Sequence, residues 1–224
     1  MGFRLALVQA DWSVADYRDQ GEYHFDNGDW DRTIAIFTKA ISLDSNHLQS
    51  YARRAQAYFQ KGDYDRALAD CTTMVQLNPD VPQGYMGRGL MLHSKGDYDH
   101  AIEELTQVIH RCPPDSNFNL SLRAHAYGFR GMIYCTKGDY DHAIADHTEA
   151  LRLVPNDADD FFQRGLAYQG KGDYDIAILD YTHAIRLNPN HADAYLNRGN
   201  LYSRKEMQKE AEADRQMYES LKKQ

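Results

Sequence analysis

The sequence contains no long apolar run and no excess of basic residues, and each absence excludes a class of protein. No stretch of about 18 apolar residues occurs, so the sequence predicts no membrane span. With 25 basic and 33 acidic residues the formal net charge is −8. Nucleic acid is therefore not the expected partner, because binding to phosphates needs a basic surface.

Cysteine is scarce as well. Cys71, Cys112 and Cys135 are odd in number and lack the spacing of a metal site. We therefore expect reduced thiols in a cytoplasmic protein. A chain trimmed of an export signal has the same composition, so this alternative stays open.

Catalytic motifs are also missing. No phosphate-binding loop, nucleophile motif or pair of catalytic carboxylates is present. His93, His125 and Cys135 invite a metal hypothesis, but their spacing is not typical of ligands. We expect a protein that is not an enzyme, with no catalytic residue, no metal and no cofactor.

A five-residue phrase, in contrast, recurs along the chain. Lys-Gly-Asp-Tyr-Asp begins at Lys61, Lys95, Lys137 and Lys171, and the variant Asn-Gly-Asp-Trp-Asp begins at Asn27. Successive starting points are 34 residues apart, except for a step of 42 residues from Lys95 to Lys137. Such a period is typical of small units that must stack, because none can bury its own apolar face.

Aligned on this phrase, the chain divides into six units, each with two apolar stretches of helical period. The glycine suits the left-handed residue that ends a first helix, and the next Asp suits the N-cap of the second. The last Asp lies in the first turn, where the helix dipole favours negative charge. The units are 14–47, 48–81, 82–115, 124–157, 158–191 and 192–224, with an apolar segment at 1–13 and an insertion at 116–123.

Small and aromatic residues recur at fixed positions of the unit. Position 8 is always Gly or Ala, position 4 is always aromatic, and a proline at position 32 follows the second helix in four units. Over residues 14–224 this pattern resembles the tetratricopeptide repeat family. The resemblance implies an all-α, right-handed α-solenoid of about six antiparallel helix-turn-helix hairpins. It also implies that the first helix of each hairpin, the A helix, lines a concave groove.

Opposite charges occur together at positions 7 and 23. Five units have Arg at position 7 and Asp or Glu at position 23, whereas the first unit has Gln20 and Ile36. Pairing within a unit leaves no partner missing, so we expect a link between the A helix and the second, or B, helix. The alternative is that these arginines bind an acidic ligand. The residues are Arg54 and Asp70, Arg88 and Glu104, Arg130 and Asp146, Arg164 and Asp180, and Arg198 and Asp214.

Positions 2, 5, 6, 9 and 12 of an A helix share one face at about 100° per residue. The resemblance makes this face the concave wall, and its middle is apolar here. An apolar patch that a fold leaves open usually marks a partner site, although a narrow superhelix or the chain's own N-terminus would also cover it. The candidate binding residues are Arg53, Gln56, Phe59, Met86, Leu90, Phe129, Met132, Phe162, Leu166, Asn197 and Asn200.

One known mode of peptide binding in the family is not matched. A subclass clamps the C-terminal carboxylate of chaperone peptides with Lys, Asn and Arg side chains of three consecutive units. The corresponding residues here are Arg18, Glu22, Arg53, Gln83 and Gly87. We therefore expect a different ligand.

Two of the irregular parts each allow two interpretations. The insertion either lengthens the A helix of the fourth unit through Phe118 and Leu122 or forms a longer loop. The segment 1–13 either covers the first hairpin or inserts into a neighbouring molecule. Residues 205–224 are expected to form a capping helix with a polar outer face.

The sequence as a whole predicts a non-catalytic module that binds a peptide or helix of a partner protein. The first alternative is a self-assembling scaffold that uses residues 1–13, which leaves a homo-oligomer open. The second is an accessory domain of a larger enzyme. The partner, the pathway and the organism do not follow from these residues.

Overall fold

The computed structural model describes residues 12–113 and 117–223, and these ranges contain twelve α-helices and no β-strand. None of these helices has the length and apolar character that a membrane crossing requires. The helices are α1 (Val14–Asp26), α2 (Trp30–Leu43), α3 (Leu48–Gln60), α4 (Tyr64–Leu77), α5 (Pro82–Ser94), α6 (Tyr98–Arg111), α7 (Asn117–Thr136), α8 (Tyr140–Leu153), α9 (Ala158–Lys171), α10 (Tyr174–Leu187), α11 (Ala192–Arg204) and α12 (Gln208–Leu221).

The chain forms two compact units, which meet in sequence inside α6 at Glu104 and Leu105. In the N-terminal unit α1 packs on α2 and α3 on α4, while α2 contacts α3 and α4 contacts α5. In the C-terminal unit the pairs are α7 with α8, α9 with α10 and α11 with α12, joined by contacts of α8 with α9 and α10 with α11. Odd-numbered helices are therefore A helices and even-numbered helices are B helices. This all-α repeat solenoid confirms the predicted fold class.

The repeated phrase forms the turn between the A and B helices. Its glycine has a φ between +71° and +93° in all five copies, a conformation that a side chain disfavours. The following Asp begins helix B, as at Asp63, where the carboxylate accepts a hydrogen bond from the backbone N–H of Arg66 at 3.2 Å. In the last unit Glu206 adopts the same left-handed conformation, with a φ of +62°.

The Lys and the last Asp of the phrase also connect neighbouring hairpins, a role that the sequence analysis did not predict. Lys95 donates to Asp65 of the preceding hairpin at 2.5 Å, and Lys171 donates to Asp141 at 2.7 Å. The hydrogen bond from Lys171 lowers the pKa of Asp141. These side chains are largely exposed to water, so each pair adds little to stability. The same link joins Lys61 to Asp31 and Lys205 to Asp175.

Glycine at position 8 brings the A helix close to its B helix. A Cβ on Gly165 would lie 2.7 Å from the ring of Tyr181, and one on Gly21 would lie 2.6 Å from the ring of Phe37. Both rings are completely buried. The predicted contact at the small residues is thus confirmed, and in these two hairpins the glycine faces the core residue at position 24. Such close packing leaves no room for added atoms.

Arginine and carboxylate pair within a hairpin in each of the five units. Arg164 donates from Nε and Nη2 to the two carboxylate oxygens of Asp180, both at 2.8 Å. Its third nitrogen, Nη1, donates to Thr148 of the preceding hairpin at 3.2 Å. One guanidinium therefore holds its own hairpin and its neighbour. Two-point pairs also join Arg54 to Asp70, Arg130 to Asp146 and Arg198 to Asp214, and Arg88 contacts Glu104 through Nη2.

Replacing Arg164 by Met is expected to destabilise the C-terminal unit by about 3 kcal/mol, because it leaves the buried Asp180 carboxylate without its partner. The double change Arg164→Met with Asp180→Leu should recover most of this loss, since it removes both charges. Urea denaturation followed by circular dichroism measures both. Arg186→Met, on an exposed arginine of the same unit, is the matched control. A single variant as stable as the parent chain would contradict the structural role.

The three cysteines are expected to differ in reactivity. Cys71 is 4% exposed and its burial raises the pKa of the thiol to about 12, so almost no thiolate forms near neutral pH. Cys112 is buried too, whereas Cys135 is half-buried. Treatment of the native chain with N-ethylmaleimide at about pH 7.5 should modify Cys135 first, because its thiol is the most accessible of the three. Peptide mass spectrometry identifies the site, and early labelling of Cys71 would contradict the packing.

Candidate functional site

The packing of the hairpins leaves one face of the A helices mostly outside the core. Buried residues of these helices fall mainly at positions 3, 4, 8 and 10, as in α3, where they include Ser50, Tyr51, Ala55 and Ala57. Positions 2, 5, 6, 9 and 12 are half-buried or exposed, with one exception described below. We call the surface formed by these five positions within each compact unit the A-helix face.

Position 10 is a packing position that the sequence analysis missed. Ala57, Met91, Ala167 and Leu201 are buried there, whereas Tyr23 of the first hairpin is 63% exposed. The first hairpin has no preceding neighbour in the described structure, so position 10 is the side that meets the preceding hairpin. The apolar character of this position in the later units is the sequence signal that reveals it.

Polar side chains form a connected group on the A-helix face of the N-terminal unit. Arg53 donates to Glu22 of the preceding A helix at 2.8 Å and to Gln56 at 3.0 Å. Its guanidinium also lies 4.9 Å from the ring centre of Phe25. These contacts hold Arg53 in one orientation while about a third of its side chain remains exposed. The structure thus brings the predicted residues Arg53 and Gln56 together.

Apolar residues lie beside this group in the same unit. Phe59, Met86 and Leu90 are half-buried. Phe59 and Leu90 pack partly against the core around Ala55 and Met91. The exposed apolar surface in this unit is therefore smaller than the sequence suggested, because parts of the Phe59 and Leu90 side chains are buried against the core.

In the C-terminal unit the A-helix face begins on α7, which contacts α9. Phe129 and Met132 are half-buried on α7, and Leu166 is half-buried on α9. Phe162 corrects the prediction. It is 9% exposed and its ring lies 5.6 Å from that of Tyr181 and 4.5 Å from that of His191, so it is a core residue. Its neighbours Tyr181 and His191 lie on other parts of the chain, which the spacing within the A helix did not indicate.

The last hairpin supplies the polar end of this face. The side-chain amide of Asn197 donates to the backbone carbonyl of Asp193 at 2.8 Å. Asn200 is exposed and borders a recess of about 420 Å³ together with Gln169 and Arg204. Asn197 is thus held by its own helix, whereas Asn200 lines open space.

The insertion lengthens an A helix. Helix α7 begins at Asn117 and has 20 residues, compared with 13 or 14 in the other A helices. Of the two readings of the insertion, the helical one is therefore observed. Phe118 in the first turn is 62% exposed.

His147 occupies the core position of the fourth unit. Its Nδ1 lies 2.8 Å from a carboxylate oxygen of Asp160 on the next A helix. Its Nε2 is buried without a hydrogen-bond partner and would lie 2.8 Å from a Cβ on Gly131. Among the described residues, therefore, only one of the two ring nitrogens of this buried histidine has a hydrogen-bond partner. Within the described ranges no three His, Cys, Asp or Glu side chains are grouped to hold a metal ion.

Both ends of the chain were assigned roles by the sequence. Residues 1–11 lie outside the described residues, so the roles suggested for the apolar segment 1–13 stay predictions. At the other end α12 forms the last B helix, and most of its residues are exposed, as expected for a cap.

Comparison with solved structures finds many similar chains. The C-terminal part of a TPR repeat-containing protein from Cytophaga hutchinsonii is 24% identical, with a TM-score of 0.73 over 92% of this chain and 78% of that one. MamA is 23% identical, with a TM-score of 0.66 over 80% and 94%. YrrB, described as a TPR protein with an unusual peptide-binding site, is 22% identical, with a TM-score of 0.64 over 83% and 91%. At these identities the likeness shows the fold alone.

Comparison with curated proteins gave no significant match. Family models, however, match along most of the chain. Two models of the tetratricopeptide repeat match residues 18–82 and 56–124. A model of the TPR repeat matches residues 131–172 and 170–205. These matches agree with the hairpins, the glycine turns and the small-residue contacts described above, and the chain belongs to the tetratricopeptide repeat family.

Proposed function

We propose that this chain is a non-catalytic protein-interaction module that binds a peptide or a helix of a partner on its A-helix face. The observation that carries the proposal is that the hairpins pack through other positions. Met86, Leu90, Met132 and Leu166 are half-buried on this face, so each still presents apolar atoms at the surface, although Leu90 and Leu166 also pack partly against the core. Exposed apolar surface of this kind typically marks a binding site.

The chemistry of the face suits a peptide with apolar anchors and polar flanks. Methionine side chains are flexible and polarisable, so Met86 and Met132 adapt to differently shaped partners. In the N-terminal unit Arg53 and Gln56 offer hydrogen bonds from fixed positions. In the C-terminal unit, beyond the apolar residues, the exposed amide of Asn200 and the side-chain carbonyl of Asn197 offer further hydrogen bonds. Affinity in such interfaces comes from a few anchor residues and much less from total area.

Fold-level analogy gives further support. YrrB is described as having a peptide-binding site, and its chain shares this fold. The analogy raises the expectation of peptide binding here but does not transfer residues, because fold and function are separable. A self-assembling scaffold and an accessory domain of a larger enzyme remain the competing hypotheses. The cytoplasmic location stays a prediction.

Replacing Met132 by Gln should weaken peptide binding about tenfold, because it removes an apolar anchor from the A-helix face with little change of volume. Peptides are first selected from a phage-displayed random library with the full chain as bait. Dissociation constants of the best peptides are then measured by fluorescence anisotropy for the parent chain and the variant.

The matched control is Met217→Gln, which changes the same residue type on the outer side of α12, where Met217 is 41% exposed. It should bind as the parent chain does. Failure to select any peptide, or equal losses in both variants, would contradict the proposed function. Thermal unfolding of both variants verifies that a loss of binding is not a loss of folding.

A further inference from the structure

A recess lies at the polar end of the A-helix face of the C-terminal unit. Its volume is about 420 Å³, within the range of about 300–1,000 Å³ that is usual for ligand sites. Three helices contribute its walls, namely α9, α10 and α11. The residues that line it are Gln169, Tyr174, Asn200, Leu201 and Arg204.

Hydrogen-bond donors dominate the polar part of this recess. The guanidinium of Arg204 lies 4.7 Å from the ring centre of Tyr174, and no carboxylate of the described residues pairs with it. Gln169 uses its carbonyl oxygen to accept a hydrogen bond from the hydroxyl of Tyr181 at 2.7 Å, which leaves its NH₂ group for another partner. The amide of Asn200 is exposed. Arg204 is the one charged residue among the described lining.

Comparison among the hairpins indicates that the stacking does not require this arginine. Position 13, which Arg204 occupies, carries no basic residue in the earlier units, where it is Asp26, Gln60, Ser94, Thr136 and Gly170. The neighbouring Lys205, in contrast, repeats a structural role, since it pairs with Asp175 as its counterparts do. Arg204 is therefore a local addition to the repeat, placed where a recess opens.

Resting on the proposed function of the A-helix face, we propose that this recess binds a carboxylate of the partner peptide, with Tyr174 contacting the apolar atoms beside it. Arginine suits this role because its planar group donates two parallel hydrogen bonds to a carboxylate. The amides of Gln169 and Asn200 supply further donors. The carboxylate is either an acidic side chain or the C-terminus of the peptide.

Three small probes distinguish these sources in an NMR titration of the full chain. Acetyl-Leu-Leu carries a terminal carboxylate, acetyl-Glu-Leu-amide carries one on a side chain, and acetyl-Leu-Leu-amide carries none. We expect at least one acid to shift the Arg204 Nε–H and the side-chain amides of Gln169 and Asn200. That acid should bind about fivefold to tenfold more tightly than the amide, because hydrogen bonds between charged groups are the stronger ones.

Arg204→Gln should remove this preference, whereas Arg186→Gln should keep it. Arg186 is exposed on α10 and lies twelve residues beyond Tyr174, or about 18 Å along the helix. Equal binding of acids and amide, or an unchanged preference in Arg204→Gln, would overturn the inference. Shifts on α7 without shifts at Arg204 would overturn it while leaving the proposed function intact, and no shift at either place would overturn both.

Discussion

The structure depends on the close approach of two helices at a single small residue. Where Gly165 faces Tyr181 and Gly21 faces Phe37, no atom separates the A-helix backbone from a buried ring. This approach aligns position 7 with position 23, so that an arginine reaches the carboxylate of its own hairpin. The third nitrogen of that arginine then reaches a threonine of the preceding hairpin. Packing within a hairpin and between hairpins is therefore set by neighbouring residues of one turn of helix A.

Because these contacts use positions 3, 4, 7, 8 and 10, most positions of the A-helix face are left to vary. Position 9 is Glu22 and Gln56 in the first two units, Leu90, Met132 and Leu166 in the next three, and Asn200 in the last. Position 24, by contrast, is buried in the first five units, whether it is Phe37, His147 or Tyr181, and only the last unit has an exposed residue there, Arg215. A repeat fold thus provides a constant frame on which a variable surface can carry recognition.

Much of this frame was predictable, since each hairpin repeats the same local chemistry. The glycine turn and the helix contact at position 8 follow from the repeated residues. The fold class was implied by the resemblance to the tetratricopeptide repeat family that those residues carry. The burial of Phe162 did not follow, because its ring contacts Tyr181 and His191, which lie outside its own helix. The threonine contact of Arg164 and the link between Lys171 and Asp141 also cross from one hairpin to the next, where sequence gives no distance. The recess at Arg204 arises from three helices and likewise has no linear pattern.

The central claim is that stacking and binding use different positions of the A helices. A saturation scan of the full chain, scored separately for folded abundance and for binding to a selected peptide, tests it most directly. We predict that changes at positions 7, 8, 10, 23 and 24 lower abundance, whereas changes that lower binding alone concentrate at positions 5, 6, 9, 12 and 13 of the A helices. Binding losses concentrated on the exposed surfaces of the B helices would contradict the account.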